Sequence, residues 1–200
     1  MDEEHSESLV PEFIRIPKIF YSDATGRPFE RCIHCNRSLL SSNVHYVIEK
    51  VHKNYPDLDT RDTIFEYALC IDCYMELRKS LSSQSIHNLE EYLNRHVDLI
   101  ERRKTLIQDK QLNVDQWLSS CIIKNKSLDA CAEYQTLCEC LGDRMLFTLM
   151  PYMVCDDALD EMAQLLSDQT QGFFDDFRQR FLGPSPEFRE LLKPSRVLFL

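Results

Sequence analysis

Two short segments, Cys32-Ile33-His34-Cys35 and Cys70-Ile71-Asp72-Cys73, carry most of the information in this sequence. Two thiolates that flank a two-residue gap on a tight turn can bind one ion. Two such turns complete a tetrahedral shell with no open position. Thirty-four residues separate Cys35 from Cys70, enough for a hairpin. The spacing predicts one structural zinc ion held by Cys32, Cys35, Cys70 and Cys73. A dithiol switch is the competing use of a single pair, and Cys70/Cys73, between a strand and a helix, has the right context for it. The matching second pair favours zinc. With four thiols at hand, His34 is a solvated or hydrogen-bonding residue of the first turn.

The chain around the pairs reads as short strands and one helix. Residues 14–21 are apolar and β-branched enough for a strand, and Pro17 puts it at an edge. Residues 23–28, Asp-Ala-Thr-Gly-Arg-Pro, are a turn. Val44, Tyr46 and Ile48 alternate with His45, Val47 and Glu49, which suits a strand, with a helix over residues 46–55 as the alternative. Residues 63–69 form a second strand leading into Cys70, and residues 74–81 are free of helix breakers. This order, a cysteine knuckle, two strands, then a second pair opening a helix, resembles a treble-clef zinc finger over residues 28–81. The resemblance implies a hairpin and a helix assembled around the metal. It does not select a function. One treble-clef branch, the HNH-type nucleases, carries histidines on the first hairpin strand and after the last metal cysteine. Here Tyr74 follows Cys73, and the strand offers only His45 and His52, with no adjacent pair.

From residue 86 the pattern becomes helical. Leu89, Leu93, Val97, Ile100 and Ile107 recur at helical spacing. Ser127 can cap a helix that runs to Leu141 and stops at Gly142. Residues 145–154 are continuously apolar, either a buried strand or a buried helix turn. Residues 156–167 form a helix with acid in its first turn, as the macrodipole favours. Phe173, Phe174, Phe177 and Phe181 continue an amphipathic pattern and read as core, as does Trp117. The apolar residues 197–200 are expected to dock on the body. No internal repeat is apparent.

The expected architecture is therefore α+β: a flexible acidic tail (residues 1–12), a treble-clef-like zinc module of hairpin plus helix (13–85), and a mainly α-helical domain (86–200). Five further cysteines lie in that last part. On a helix Cys131 and Cys138 share a face, whereas Cys138 and Cys140 diverge. Either Cys131, Cys138, Cys140 and Cys155 form a second metal site, or they are small buried apolar residues. Asp156-Asp157-x-x-Asp160 could bind magnesium for diphosphate chemistry, but acid at a helix start explains it more simply.

The 200 residues carry 23 Lys and Arg against 33 Asp and Glu, a net charge of −10. That balance argues against nucleic acid as a partner. The apolar and charged fractions, 44% and 28%, exclude collagen-like, low-complexity and disordered chains. No apolar run is long enough for a membrane span. The first residues do not read as a secretory signal, so the nine cysteines should stay reduced in the cytoplasm. The sequence thus predicts a cytoplasmic zinc protein that binds another protein and has no catalytic residues. An HNH-like metal-dependent nuclease built on His45 or His52 and a thiol-based redox sensor are the alternatives.

Overall fold

A computed structural model describes residues 12–58, 60–108 and 112–183. The acidic tail (save Glu12) and the apolar residues 197–200 lie outside that range. Six strands form one mainly antiparallel sheet: β1 (Glu12–Arg15), β2 (His45–Tyr55), β3 (Thr60–Cys70), β4 (Glu133–Leu141), β5 (Arg144–Phe147) and β6 (Tyr152–Cys155). Their order is β1-β5-β4-β2-β3, with β6 beside β4. The helices are α1 (Ile71–Arg78), α2 (Ser83–His96), α3 (Leu99–Gln108), the single turn α4 (Val114–Trp117), α5 (Asp156–Gln164) and α6 (Asp168–Phe181). No described helix is long and apolar enough to cross a membrane.

The expected sequel, a zinc module followed by a helical domain, is not what forms. Strands stand early and late in the chain, with helices between and after them, and β4 pairs with β2 along most of its length. The helix expected over residues 127–141 is a strand from Glu133. Residues 134–138 are all buried, so this central strand shows none of the alternation that marks a half-exposed one. Gly142 does not stop a helix. It takes a left-handed φ of +58° in the tight link between β4 and β5. A Cβ there would meet Ser41 O and Ser42 Cα at 3.1 Å, so bulk as well as backbone reserves the position for glycine.

The other sequence expectations fare unevenly. Residues 145–154 resolve into β5, a short excursion and β6. Of the strand expected over residues 14–21 only Ile14 and Arg15 are strand, at the end of β1, and Lys18–Phe20 is a 3-10 turn instead. Trp117, Phe174 and Phe177 are core, and the buried apolar residues of both halves join one cluster.

Candidate metal centre

The first ligand turn is fixed by its own backbone. Cys32 N–H donates to Arg37 O at 2.9 Å, and Asn36 N–H returns to Cys32 O at 2.9 Å. Asn36 sits at φ 60°, a left-handed conformation that asparagine tolerates. Ile33 N–H donates to Ala68 O at 3.0 Å, which ties the turn to the end of β3. Two residues on, Cys70 is both the last residue of β3 and the N-cap of α1, and Cys73 stands in the first helical turn. The hairpin thus delivers the second pair to the first.

The sulfurs of Cys32, Cys35, Cys70 and Cys73 all lie within 4.8 Å of one another. Cys35 Sγ and Cys70 Sγ are 3.7 Å apart, close to the roughly 3.8 Å edge of a tetrahedron with zinc–sulfur bonds of about 2.3 Å. Cys32, Cys70 and Cys73 are buried and Cys35 is exposed. Cys70 N–H points at Cys32 Sγ from 3.5 Å. Burial pushes the Cys70 and Cys73 thiols up from their ordinary range, against hydrogen bonds from Cys73 at the first and with the help of the other three thiols at the second. At Cys35 a lesser burial penalty is overcome by the hydrogen bond from the Arg37 backbone and by the other thiols, and its thiol is pulled down. Sulfurs crowded this closely, with the Cys70 and Cys73 thiols held above their ordinary range, are the arrangement that a soft cation relieves by displacing protons. These four cysteines could hold a metal ion, and their all-sulfur chemistry fits zinc.

Of the other sequence candidates, Cys155, Asp156 and Asp157 bring their ligand atoms within 4.8 Å of one another, and the rest do not converge among the described residues. His45 Nε2 lies 2.6 Å from Glu139 Oε1 across the β2–β4 ladder. His52 is buried between Thr136 Oγ1 at 3.3 Å and Thr63 Oγ1 at 3.2 Å, and stacks on Tyr134. Burial, with Lys50 and Arg61 nearby, lowers its pKa to about 4, so it is neutral at physiological pH. Neither histidine belongs to a metal-ligand cluster among the described residues. His34 rests against the Phe181 ring at 5.7 Å.

Cys131, Cys138, Cys140 and Cys155 do not gather either. Cys138 and Cys140 share a face because they lie on a strand, with sulfurs 3.8 Å apart. The Asp156 and Asp157 carboxylates are engaged by the Lys126 ammonium at 2.9 and 2.8 Å, and Asp156 also accepts from Ala132 N–H at 3.0 Å. The acid at the start of α5 thus holds a lysine and a loop.

Two features escaped the sequence reading. One is a buried polar network on β2. Lys50 is 1% exposed. Its ammonium donates to Tyr21 O at 2.7 Å and lies 3.0 Å from Asp23 and 3.1 Å from Glu66. The cleft above it, about 430 Å³, is lined by Lys18, Arg61 and Asp115 besides the network itself. The other is Cys121, whose sulfur accepts from Cys155 N–H at 3.3 Å. A signal for it stands in the sequence: Cys-Ile-x-x-Asn-(Arg/Lys)-Ser-Leu occurs at residues 32–39 and again at 121–128.

Comparison with known families, curated proteins and solved structures finds no match to this chain. The function has to be argued from the site.

Proposed function

We propose that the protein is a non-catalytic protein-interaction or regulatory module that carries one structural zinc ion on Cys32, Cys35, Cys70 and Cys73. The observation that supports this most directly is the closed sulfur set. Four thiols within 4.8 Å of one another fill a tetrahedral shell and leave no position for water or substrate. A treble-clef-like knuckle, hairpin and helix is the frame in which such an ion replaces part of a core. The net charge of −10 makes another protein, rather than nucleic acid, the better partner. Thiols that must stay reduced for the site to load suit a cytoplasmic setting.

The test is metal analysis of tag-free protein purified under reducing conditions, followed by cobalt substitution. One zinc per chain is expected, with a cobalt spectrum typical of tetrahedral thiolate that added azide leaves unchanged. An absence of metal, or a cobalt band that shifts with azide and so reveals an open coordination position, would overturn the proposal.

A further inference from the structure

The corner around Cys121 repeats the metal corner bond for bond. In the first, Cys32 N–H donates to Arg37 O and Asn36 N–H to Cys32 O. In the second, Cys121 N–H donates to Lys126 O at 2.8 Å and Asn125 N–H to Cys121 O at 2.8 Å. Asn36 and Asn125 share the left-handed backbone, at φ 60° and 53°. Ile33 is tied to Ala68 O at 3.0 Å, and Ile122 to Met153 O at 3.0 Å. Cys32 Sγ accepts from Cys70 N–H at 3.5 Å, and Cys121 Sγ from Cys155 N–H at 3.3 Å. Cys70 and Cys155 each end a strand and cap the helix that follows, α1 and α5.

The correspondence extends beyond the corners. Tyr46 on β2 pairs with Cys70, and Tyr134 on β4 pairs with Cys155. Between β2 and β4 the register is reciprocal: Tyr46 faces Cys140, and Tyr134 faces His52. That is the pattern of a local two-fold axis crossing the ladder at Glu49 and Leu137. The helices that follow, α2 and α6, both have 14 residues and are both capped by a serine, Ser82 and Ser167. These caps meet. Their hydroxyls are 2.8 Å apart, Ser82 N–H donates to Thr170 Oγ1 at 3.0 Å, and Ser167 N–H donates to Ser85 Oγ at 2.9 Å. Residue i contacting j while the equivalent of j contacts the equivalent of i is the signature of an isologous interface.

We infer that residues 119–181 are a second copy of the unit built by residues 30–96, and that Cys121, Lys124, Cys155 and Ala158 occupy the four ligand positions of a second metal site, of which two thiols remain. Lys124 stands where Cys35 stands, three residues after the first cysteine. Its N–H lies 3.4 Å from Cys121 Sγ. Ala158 stands where Cys73 stands, in the first turn of the helix, and is fully buried. Ion pairs link the turn to the helix here. Lys124 reaches Glu161 of α5 at 2.5 Å, and Lys126 reaches Asp156 and Asp157. The Asp156 and Asp157 carboxylates, within 4.8 Å of Cys155 Sγ, are engaged by Lys126, and two thiols alone do not complete a zinc shell. Four would.

The inference takes the Cys32 corner as a metal site, and the experiment separates the two claims. Zinc per chain is measured for the wild type and for Lys124→Cys/Ala158→Cys, both purified reduced. One ion in the wild type and two in the variant are the expected result. One in each, with the variant still folded by circular dichroism, overturns the inference and leaves the first site standing. None in the wild type but one in the variant overturns the first site and supports the inference. If the buried Ala158 change prevents folding, Lys124→Cys alone decides. Three thiols at that corner should take up one cadmium beyond the wild-type load, seen as added sulfur-to-cadmium absorption in the ultraviolet, and no added absorption overturns the inference.

Discussion

The two corners of this molecule share a backbone and differ in what crosslinks it. At the first, four sulfurs converge. At the second, Lys124 and Ala158 replace two of them, and three lysine–carboxylate contacts bind the turn to the helix. The difference separates what the turn's own backbone holds from what its side chains must link. The turn, with its paired backbone hydrogen bonds and left-handed asparagine, is the same at both corners. What differs is the link from turn to helix. The two corners are buried alike, Cys121 and Cys155 at 2% and 0% exposed against 1% and 1% for Cys32 and Cys70, and they differ at the helix position, where Ala158 contributes a fully buried methyl group and Cys73 a ligand. Cys35 at the first and Lys124 at the second both face solvent.

The sharpest way to break this comparison is to remove equivalent sulfurs. Cys70→Ser takes a ligand from the first corner. It should abolish zinc binding and unfold the knuckle, hairpin end and α1, because the apparent binding energy of a structural zinc, about 10–16 kcal/mol, is folding energy. Cys155→Ser, at the matching position, should leave zinc content unchanged and cost about 1–3 kcal/mol, the penalty for burying a hydroxyl in place of a thiol. Metal analysis and a thermal melt of each variant read both effects. Loss of zinc from Cys155→Ser, or an intact metal load in Cys70→Ser, would show that the corners have been assigned the wrong way round.

A second contrast lies between the central strands. In the reciprocal register, Lys50 of β2 is equivalent to Cys138 of β4, and both are buried. They solve the same problem differently. Lys50 carries a charge inward and meets Asp23 and Glu66 there. Cys138 is a small apolar residue. Lys50→Met should therefore destabilise by about 3 kcal/mol, the low end for a broken buried pair, because Glu66, 13% exposed, loses its cation but keeps hydrogen bonds from Ser22 Oγ and the Asp23 and Ala24 N–H groups. Cys138→Ala removes one atom and should cost no more than about 1–2 kcal/mol. Urea denaturation of the two variants decides it, and equal losses would mean that the Lys50 network contributes nothing beyond its volume.

The metal corner was legible in the sequence because cysteine spacing is a local signal: a two-residue gap already implies a turn, whatever surrounds it. The strand β3 and the helices α1, α5 and α6 were legible for similar reasons, since each carries its own breakers and periodicity. The strand β4 was not. Residues 134–138 are buried on both faces, and a continuous buried run has no period to read. Misreading it as helix hid the hairpin it forms with β5 and β6, and without that hairpin the second corner had no neighbours. The repeat itself stands in plain sequence at residues 32–39 and 121–128. It is masked because the residues that catch the eye in the first copy, Cys35 and Cys73, are the ones the second copy lacks. The Lys50 network was out of reach for another reason: the pairing of β2 with β3 brings Lys50 to Glu66, and the turn at residues 22–27 adds Asp23.

The smallest expected effect tests the axis between the two copies. Glu49 of β2 faces Leu137 of β4 there, and the two occupy equivalent positions. The carboxyl is fully buried, and burial raises its pKa to about 8 against a weaker opposing hydrogen bond from Tyr67. An acid raised on folding stays protonated in the native state while the unfolded chain, near 4.5, has already lost its proton. The native state then binds more protons, so stability falls as pH rises from about 4.5 to about 8. His52 acts in the opposite direction. Its pKa falls from 6.5 to about 4 on folding, so the unfolded chain binds more protons between those values and stability rises with pH. The two effects oppose each other below pH 6.5, and above it Glu49 acts without that opposition. Relative to Glu49→Gln, the wild type should lose up to about 2 kcal/mol between pH 6.5 and 8. Urea midpoints of the two proteins at several pH values in that interval give the difference directly. A difference that stays flat would mean that Glu49 is ionised in the folded protein. The axis would then carry a charge between the copies, beside Leu137.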